Sequence, residues 1–453
     1  MIFLINLYTL LVGISRAAYT ALFNLYLKSH NIPNAVIGNA TFYYSWGMAI
    51  GGFLFAGISD KIGRKKTILF TMPLYGLFGM LRLLNVQGSL YLYLISFLFG
   101  FFDTSVIMPT ISVIENSDEK KRLRNSNINF AIVMITGVIG YFGAGVLSER
   151  IGLYPSLNIS MILAILSILP VLAFPNVRIK KRLIKRKNKL SLSQLIMLSY
   201  YISSGALVSL AAGVFINFGN VIFYDLFSFS TAMITVVLAI SQLSTAATSL
   251  FSHKLTHRYG YKLSLFLIYL SVSFLIFLMP IFMLNSYVFS IAYILRYILI
   301  NISTPLYMVF CLSYLPRQYI ATYSGLSYFV NNVMRAVSAQ IFTKLSVTGE
   351  TDYNKLFGVT GLFYLMNTLL TLLVFYLMYK VSEQNANSEA HKLSERQSGN
   401  KGKHVPKAKR TFLLFRKTTH VSIHIHTPNS TTKRHYVSVF FKQGSVRRKR
   451  SDF

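Results

Sequence analysis

The sequence predicts an all-α membrane protein of twelve transmembrane helices in two pseudo-symmetric six-helix bundles. Three observations carry this expectation. First, 53% of the 453 residues are hydrophobic and only 13% charged, where a soluble domain carries about 25%, and the mean hydropathy is +0.51. Second, apolar stretches of about 20 residues, the length that crosses a bilayer, fall into two sets of similar extent on either side of one basic segment. Third, a cationic, glycine-containing turn recurs at the same place in both sets. The composition excludes other classes. The single cysteine, Cys311, rules out an intrachain disulfide. No P-loop, metal-spaced His/Cys cluster or nucleophile elbow is present, so no cofactor, metal or enzymatic chemistry is expected. A net charge of +32 would point to nucleic acid in a soluble chain. Here the cations sit in loops and in the tail, as the positive-inside rule requires, and no nucleic-acid partner is expected.

The spans follow in order. The first, 2–27, is broken by Arg16; it lacks a charged leader and a small-residue cleavage site, so a removable signal peptide is not expected. The second, 35–57, carries Gly47, Gly51 and Gly52 at a spacing that lets helices approach closely. Spans 67–86 and 91–113 come next, then a charged loop from Glu115 to Arg124. The fifth span, 128–147, holds Gly137, Gly140, Gly143 and Gly145, and the sixth is 153–174. The linker that follows contains eight Lys/Arg from Arg178 to Lys189 with no acid among them, and is expected to face the anionic inner leaflet. The second set reads 195–217 (or on to Phe223), 231–251, 263–283, 287–311, 323–342 and 356–379. The expected organisation is therefore 1–176 as one bundle, 177–192 as a cytoplasmic linker, 193–381 as the second bundle, and 382–453 as a basic, disordered cytoplasmic tail or a frameshifted terminus.

The turn between the second and third spans is Ala56-Gly57-Ile58-Ser59-Asp60-Lys61-Ile62-Gly63-Arg64-Lys65-Lys66. A turn this tight needs a residue free to take positive φ, which Gly63 supplies. Its copy in the second set runs from Ser252 to Lys262: Arg258 matches Lys61, Gly260 matches Gly63, Lys262 matches Lys65, and His257 stands where Asp60 stood. The first turn resembles the loop between helices 2 and 3 of the major facilitator superfamily, bacterial type, with Asp60, Lys61, Gly63, Arg64 and Lys65 matching and Ala56 in place of the first glycine. That resemblance, over about residues 2–381, implies the duplicated transporter architecture. It also implies a central cavity lined by spans 1, 4, 7 and 10, and a gate formed by Asp60, Gly63, Arg64, Lys65 and Glu115.

Ionisable groups at mid-membrane depth cost about 2.5–3.5 kcal/mol on insertion scales and face protein or water. Arg16, Asp103, Arg296 and Arg335 sit near the middle of their spans. Arg16 and Arg296 are read as cationic forks for an anionic group of the substrate, with Asn24, Asn217 and Asn220 as further substrate contacts. Asp103 is read as the carboxylate that carries a proton during transport. A static Arg16–Asp103 ion pair is the competing reading. Arg335 is expected to be structural, and Arg82, nearer the end of its span, to snorkel. Tyr19, Tyr43, Tyr44 and Trp46 are candidate cavity walls.

These residues predict a proton-coupled secondary transporter of the cell membrane, with both termini cytoplasmic, moving a small solute such as an organic anion or zwitterion by alternating access. It would be a monomer whose other partners are membrane lipids, including anionic inner-leaflet lipid. The alternatives are a proton-driven exporter of drugs or lipophiles and, from another class, a non-transporting sensor or scaffold.

Overall fold

Gly63 takes φ 94° and Gly260 takes φ 73°, in the region where only glycine is unstrained. Each turns the chain between two antiparallel helices, so the duplicated turn of the sequence is a duplicated turn of the backbone. In the computed structural model, the described residues are 1–117, 121–174, 190–315, 320–346 and 351–398. They form α1 (Ile2–Ser29), α2 (Asn34–Ile62), α3 (Arg64–Leu81), α4 (Ser89–Phe102), α5 (Ile107–Glu115), α6 (Arg122–Ile151), α7 (Leu153–Leu166) and α8 (Ile168–Leu172) in the first half. The second half holds α9 (Leu192–Phe227), α10 (Thr231–Phe282), α11 (Ser286–Tyr314), α12 (Ile320–Leu345) and α13 (Tyr353–Ser398). Helices α4 and α5 share one span, as do α7 and α8, and α10 contains two spans folded at Gly260, which gives twelve. Among the described residues, eight helical stretches are long and apolar enough to cross a bilayer by length and composition.

Both broken spans have a chemical cause. A proline clashes with the carbonyl four residues before it and offers that carbonyl no N–H. Pro109 acts in this way on Ser105 and Pro170 on Leu166, and the interruptions fall at Asp103–Val106 and at Ser167. Proline alone does not suffice, since α11 contains Pro305 and stays continuous. At the first break Asp103 adds a competing local bond: its carboxylate accepts from the Ser105 N–H at 3.1 Å and from the Ser105 hydroxyl.

Small residues set the packing. A Cβ built on Gly51 would lie 1.9 Å from the Phe101 carbonyl oxygen, and one on Gly100 would lie 2.0 Å from that of Tyr44. Helices α2 and α4 therefore meet backbone to backbone, as the spacing of Gly47 and Gly51 predicts. In α6, Gly140 admits α1 at Ile14 and Ala17, and Gly145 admits Thr235 of α10. The two halves touch along α2 with α12, α6 with α10, and α1 with α9. Large apolar side chains such as Phe3, Leu90 and Phe274 stay exposed on the outer faces, where lipid is the natural solvent.

Two boundaries differ from the sequence reading. Helix α9 continues ten residues past Asn217, ending where Ser228 adopts a left-handed conformation at φ 49°; nothing in 218–227 interrupts it. Helix α13 runs to Ser398, well into the segment read as disordered, because 381–398 is free of glycine and proline and rich in Glu, Gln, Lys and Ala. Met1–Tyr379 and Lys380–Phe453 are separate compact units. Most of the basic linker and all of 399–453 lie outside the described residues.

Candidate functional site

Asp103 occupies the break between α4 and α5 and is 0% exposed. Its two oxygens are differently engaged. Oδ1 accepts from Ser105, while Oδ2 accepts from the Tyr44 hydroxyl of α2 at 2.8 Å. Arg16 Nε of α1 stands 3.4 Å from the same Oδ2, as an ion pair too long for a hydrogen bond. The turn beside it is pinned by the Thr104 and Thr71 hydroxyls, 2.7 Å apart. The carboxylate is thus positioned by neutral donors and paired with a guanidinium.

Arg16 keeps 29% of its side-chain surface exposed. Asp103, Tyr44 of α2, Tyr75 of α3 and Tyr328 of α12 make up its electrostatic surroundings. Arg335 of α12 is within electrostatic reach of Arg16, Tyr328 and Tyr44. The sequence reading took Arg335 as a structural mid-span residue; in the structure the charge of Arg16 acts on it.

Arg296 is elsewhere. It is 1% exposed, donates to the Tyr364 hydroxyl at 2.6 Å and lies over the Phe215 ring at 4.8 Å. These partners belong to α13 and α9, so Arg296 is enclosed within the second half and does not pair with Arg16. Arg82 is also internal rather than snorkelling: its Nε donates to Ser96 Oγ at 2.8 Å and its guanidinium covers the Phe23 ring at 3.7 Å. Of the candidate walls, only Tyr44 reaches Asp103. Tyr19 donates to the Gly79 carbonyl at 2.9 Å, Tyr43 stacks on Tyr93, and Trp46 packs edge-on against Phe42.

Two of the three asparagine side chains tie the halves together, while Asn217 lends only its backbone carbonyl and its Nδ2 is buried without a partner. Asn24 donates to the Asn217 carbonyl at 2.7 Å and to Asn220 Oδ1 at 3.2 Å, and Asn220 donates back to the Ala21 carbonyl at 2.8 Å. Just beyond lies a cluster that the sequence reading missed. Lys28 Nζ is 2.8 Å from Asp225 Oδ1. Asp225 Oδ2 also accepts from Asn34 at 2.6 Å and from the Tyr353 hydroxyl at 2.7 Å. A signal for it was available. Lys28 and Asp225 are 197 residues apart (225 − 28), the same interval as Gly63 and Gly260 (260 − 63). Equivalent positions of a repeat face each other across its axis, and these two carry opposite charge.

At the other end of the helices, Asp60 is 63% exposed and pairs with Arg64 one turn on. Arg64 also donates to the Ala56 carbonyl at 3.2 Å. Lys65 caps the end of α8, donating to the carbonyls of Leu172 at 2.6 Å and Phe174 at 2.8 Å. Its copy Lys262 approaches the Phe375 ring of α13 at 5.9 Å. It is the cations, more than Asp60, that join helix ends here. Glu115 ends α5, but its side chain lies outside the described ones. Among the described residues no cluster of His, Cys, Asp or Glu could hold a metal ion.

Solved structures share this architecture at low identity. The nucleoside transporter NupG superposes with a TM-score of 0.64 at 14% identity, covering 83% of this chain and 98% of that one. A D-xylose–proton symporter gives 0.69 at 12%, covering 82% and 96%. The human organic anion transporter MFSD10 (TETRAN) gives 0.60 at 13%, covering 82% and 98%. No curated protein matches the sequence. The family model described as Major Facilitator Superfamily matches residues 5–339. With the motif, the repeat and the fold in agreement, the chain is a multi-pass membrane protein of a transporter family rather than an enzyme, and it belongs to the major facilitator superfamily.

Proposed function

We propose that the protein is a secondary transporter that carries a small organic anion or zwitterion together with a proton across the cytoplasmic membrane. The observation that carries this reading is the Arg16–Asp103 pair, 3.4 Å apart, at the break in a span. With Asp103 ionised, Arg16 is held by it. A proton on Asp103 removes that partner and leaves the guanidinium to an anionic group of the solute. Proton and solute then bind together, which couples their movement. The halves rock about this point, closing alternately at the Lys28–Asp225 end and at the Asp60 end. The cationic turns and the basic linker put the Asp60 end and both termini on the cytoplasmic side. Structures of the same fold include a proton symporter and an organic anion transporter, so the fold is compatible with both parts of the reading.

The test is the thermal stability of the purified protein against a panel of anions, cations and neutral lipophiles, with Arg16→Ala beside the wild type. A ligand at a hundred times its dissociation constant adds about 2.7 kcal/mol. Anions that stabilise the wild type and not Arg16→Ala support the reading. Tyr44, Tyr75 and Tyr328 around the pair favour one rival, a proton-driven exporter of lipophiles. Stabilisation of both proteins alike by neutral or cationic lipophiles selects that rival.

A further inference from the structure

Helix α12 carries a stripe of polar side chains whose hydrogen-bonding capacity is not met. Tyr328, Asn331, Arg335 and Ser338 recur at intervals of three, four and three residues, which places them along one face of the helix. In each, one buried polar atom has no hydrogen-bond partner: the Tyr328 hydroxyl, Asn331 Oδ1, Arg335 Nε and Ser338 Oγ. Asn331 and Ser338 lie against Gly205 and Gly213 of α9, and the Tyr328 ring against Gly52 of α2; Arg16 Nε on α1 is likewise without a partner. Buried polar groups are nearly always satisfied, so four in a row on one face need an explanation.

The charges sharpen the point. The charge of Arg16 acts unfavourably on Arg335, and both act on Tyr328. Asp103 is the carboxylate that answers Arg16, and among the described residues no acid pairs with Arg335. An arginine kept inside the protein next to another arginine is costly, and replacing such a group by an apolar one of similar size often stabilises a fold. Arg296 has a seat of another kind: its Nε is also without a partner, but the guanidinium stacks on the Phe215 ring and donates to Tyr364. Arg335 has no comparable seat.

Building on the anion reading above, we infer that Arg335 is the second jaw of an anion clamp. Arg16 from the first half and Arg335 from the second grip one carboxylate or phosphate group of an organic acid, and the Tyr328 hydroxyl donates to it. The anion offsets the repulsion between the guanidiniums. Because the jaws belong to different halves, the bound anion is also the bridge that lets the halves close over the site. An empty site opposes that closure, so anion binding and rocking are linked.

The experiment uses the full-length protein in lipid nanodiscs, with benzoate, succinate and phenyl phosphate as anionic probes and benzamide as the neutral control. Unfolding temperature and binding are measured for wild type, Arg16→Ala, Arg335→Met and Arg335→Lys. The clamp predicts that an anion, but not benzamide, stabilises the wild type. It predicts that Arg335→Met unfolds no lower than wild type without solute yet loses the anion effect. Arg335→Lys, which keeps the charge but not the fork, binds about tenfold or more weaker than wild type and serves if Arg335→Met does not fold. Should Arg335→Met and Arg335→Lys bind the anion as the wild type does while Arg16→Ala does not, the clamp is overturned and the anion reading survives. A loss of unfolding temperature in Arg335→Met with unchanged anion response in Arg335→Lys likewise makes Arg335 structural. If none of the anions acts on the wild type, the anion reading falls and the clamp with it.

Discussion

Lys28 and Asp225 occupy equivalent positions of the two halves, and their side chains meet at 2.8 Å across the junction. The repeat explains why opposite charges at these positions find each other. Both are partly buried, so the pair lies between the exposed case, worth under about 1 kcal/mol, and the buried case, where removing one partner costs about 3–5 kcal/mol. Asp225→Asn is expected to weaken closure at this end by about 1–3 kcal/mol. The change is read as a larger open fraction in spin-label distances between Leu84→Cys and Leu284→Cys. Exchanging the charges, Lys28→Asp with Asp225→Lys, is expected to restore most of the closed fraction. An exchange that leaves the end as open as the single variant means that the pair contributes nothing to closure.

The contact of α2 with α4 positions Tyr44 against Asp103, and it depends on glycine. Gly100→Ala places a methyl group 2.0 Å from the Tyr44 carbonyl oxygen, so the backbones must part. Overpacking of this kind costs about 1–3 kcal/mol, and unfolding temperature should fall accordingly. Gly57→Ala in the same α2 has open space around it and should be neutral or slightly stabilising. Equal effects of the two substitutions in a thermal melt would remove the packing explanation.

Arg296 separates depth from direction. Arg296→Ala should lower unfolding temperature, through loss of the Tyr364 bond and of packing on Phe215, while changing anion binding less than about threefold. Binding titrations on the variant decide it. A loss of binding as large as that of Arg16→Ala would put Arg296 in the site after all.

Pro109→Ala should lengthen α5 towards Asp103. Amide exchange over residues 103–108 is expected to slow in the variant, since Ser105 regains a partner for its carbonyl. Exchange unchanged from the wild type would mean that the Asp103–Ser105 bonds alone hold the span open.

Much of this architecture is legible in the sequence because hydropathy reports span length, and a turn with an obligatory positive φ reports its own duplication. Depth was legible too: Arg16, Asp103, Arg296 and Arg335 are all mid-span. Direction was not. Helices α11 and α12 bury or expose apolar residues on nearly every side, so periodicity does not say that Arg296 turns into its own half and Arg335 towards the other. The break at Asp103 could have been anticipated from Pro109, whose clash falls on Ser105. The Lys28–Asp225 pair was hidden because charges at span ends read as loop residues until the repeat interval is applied to them. Asn24, Asn217 and Asn220 stand out in the sequence as polar residues within spans, but the sequence does not distinguish a bond to solute from a bond between halves.

The central claim is that the halves rock about the Arg16–Asp103 pair. Cys311 is the chain's single cysteine and is buried, so engineered cysteines can be labelled selectively. The decisive measurement is a pair of spin-label distances in nanodiscs, Leu84→Cys with Leu284→Cys at one end and Ile62→Cys with Tyr259→Cys at the other, as pH is stepped and solutes are added. The account predicts reciprocal change, one end closing as the other opens, with a pH response that disappears in Asp103→Asn. Distances that stay fixed at both ends, or a pH response that survives Asp103→Asn unchanged, would contradict it.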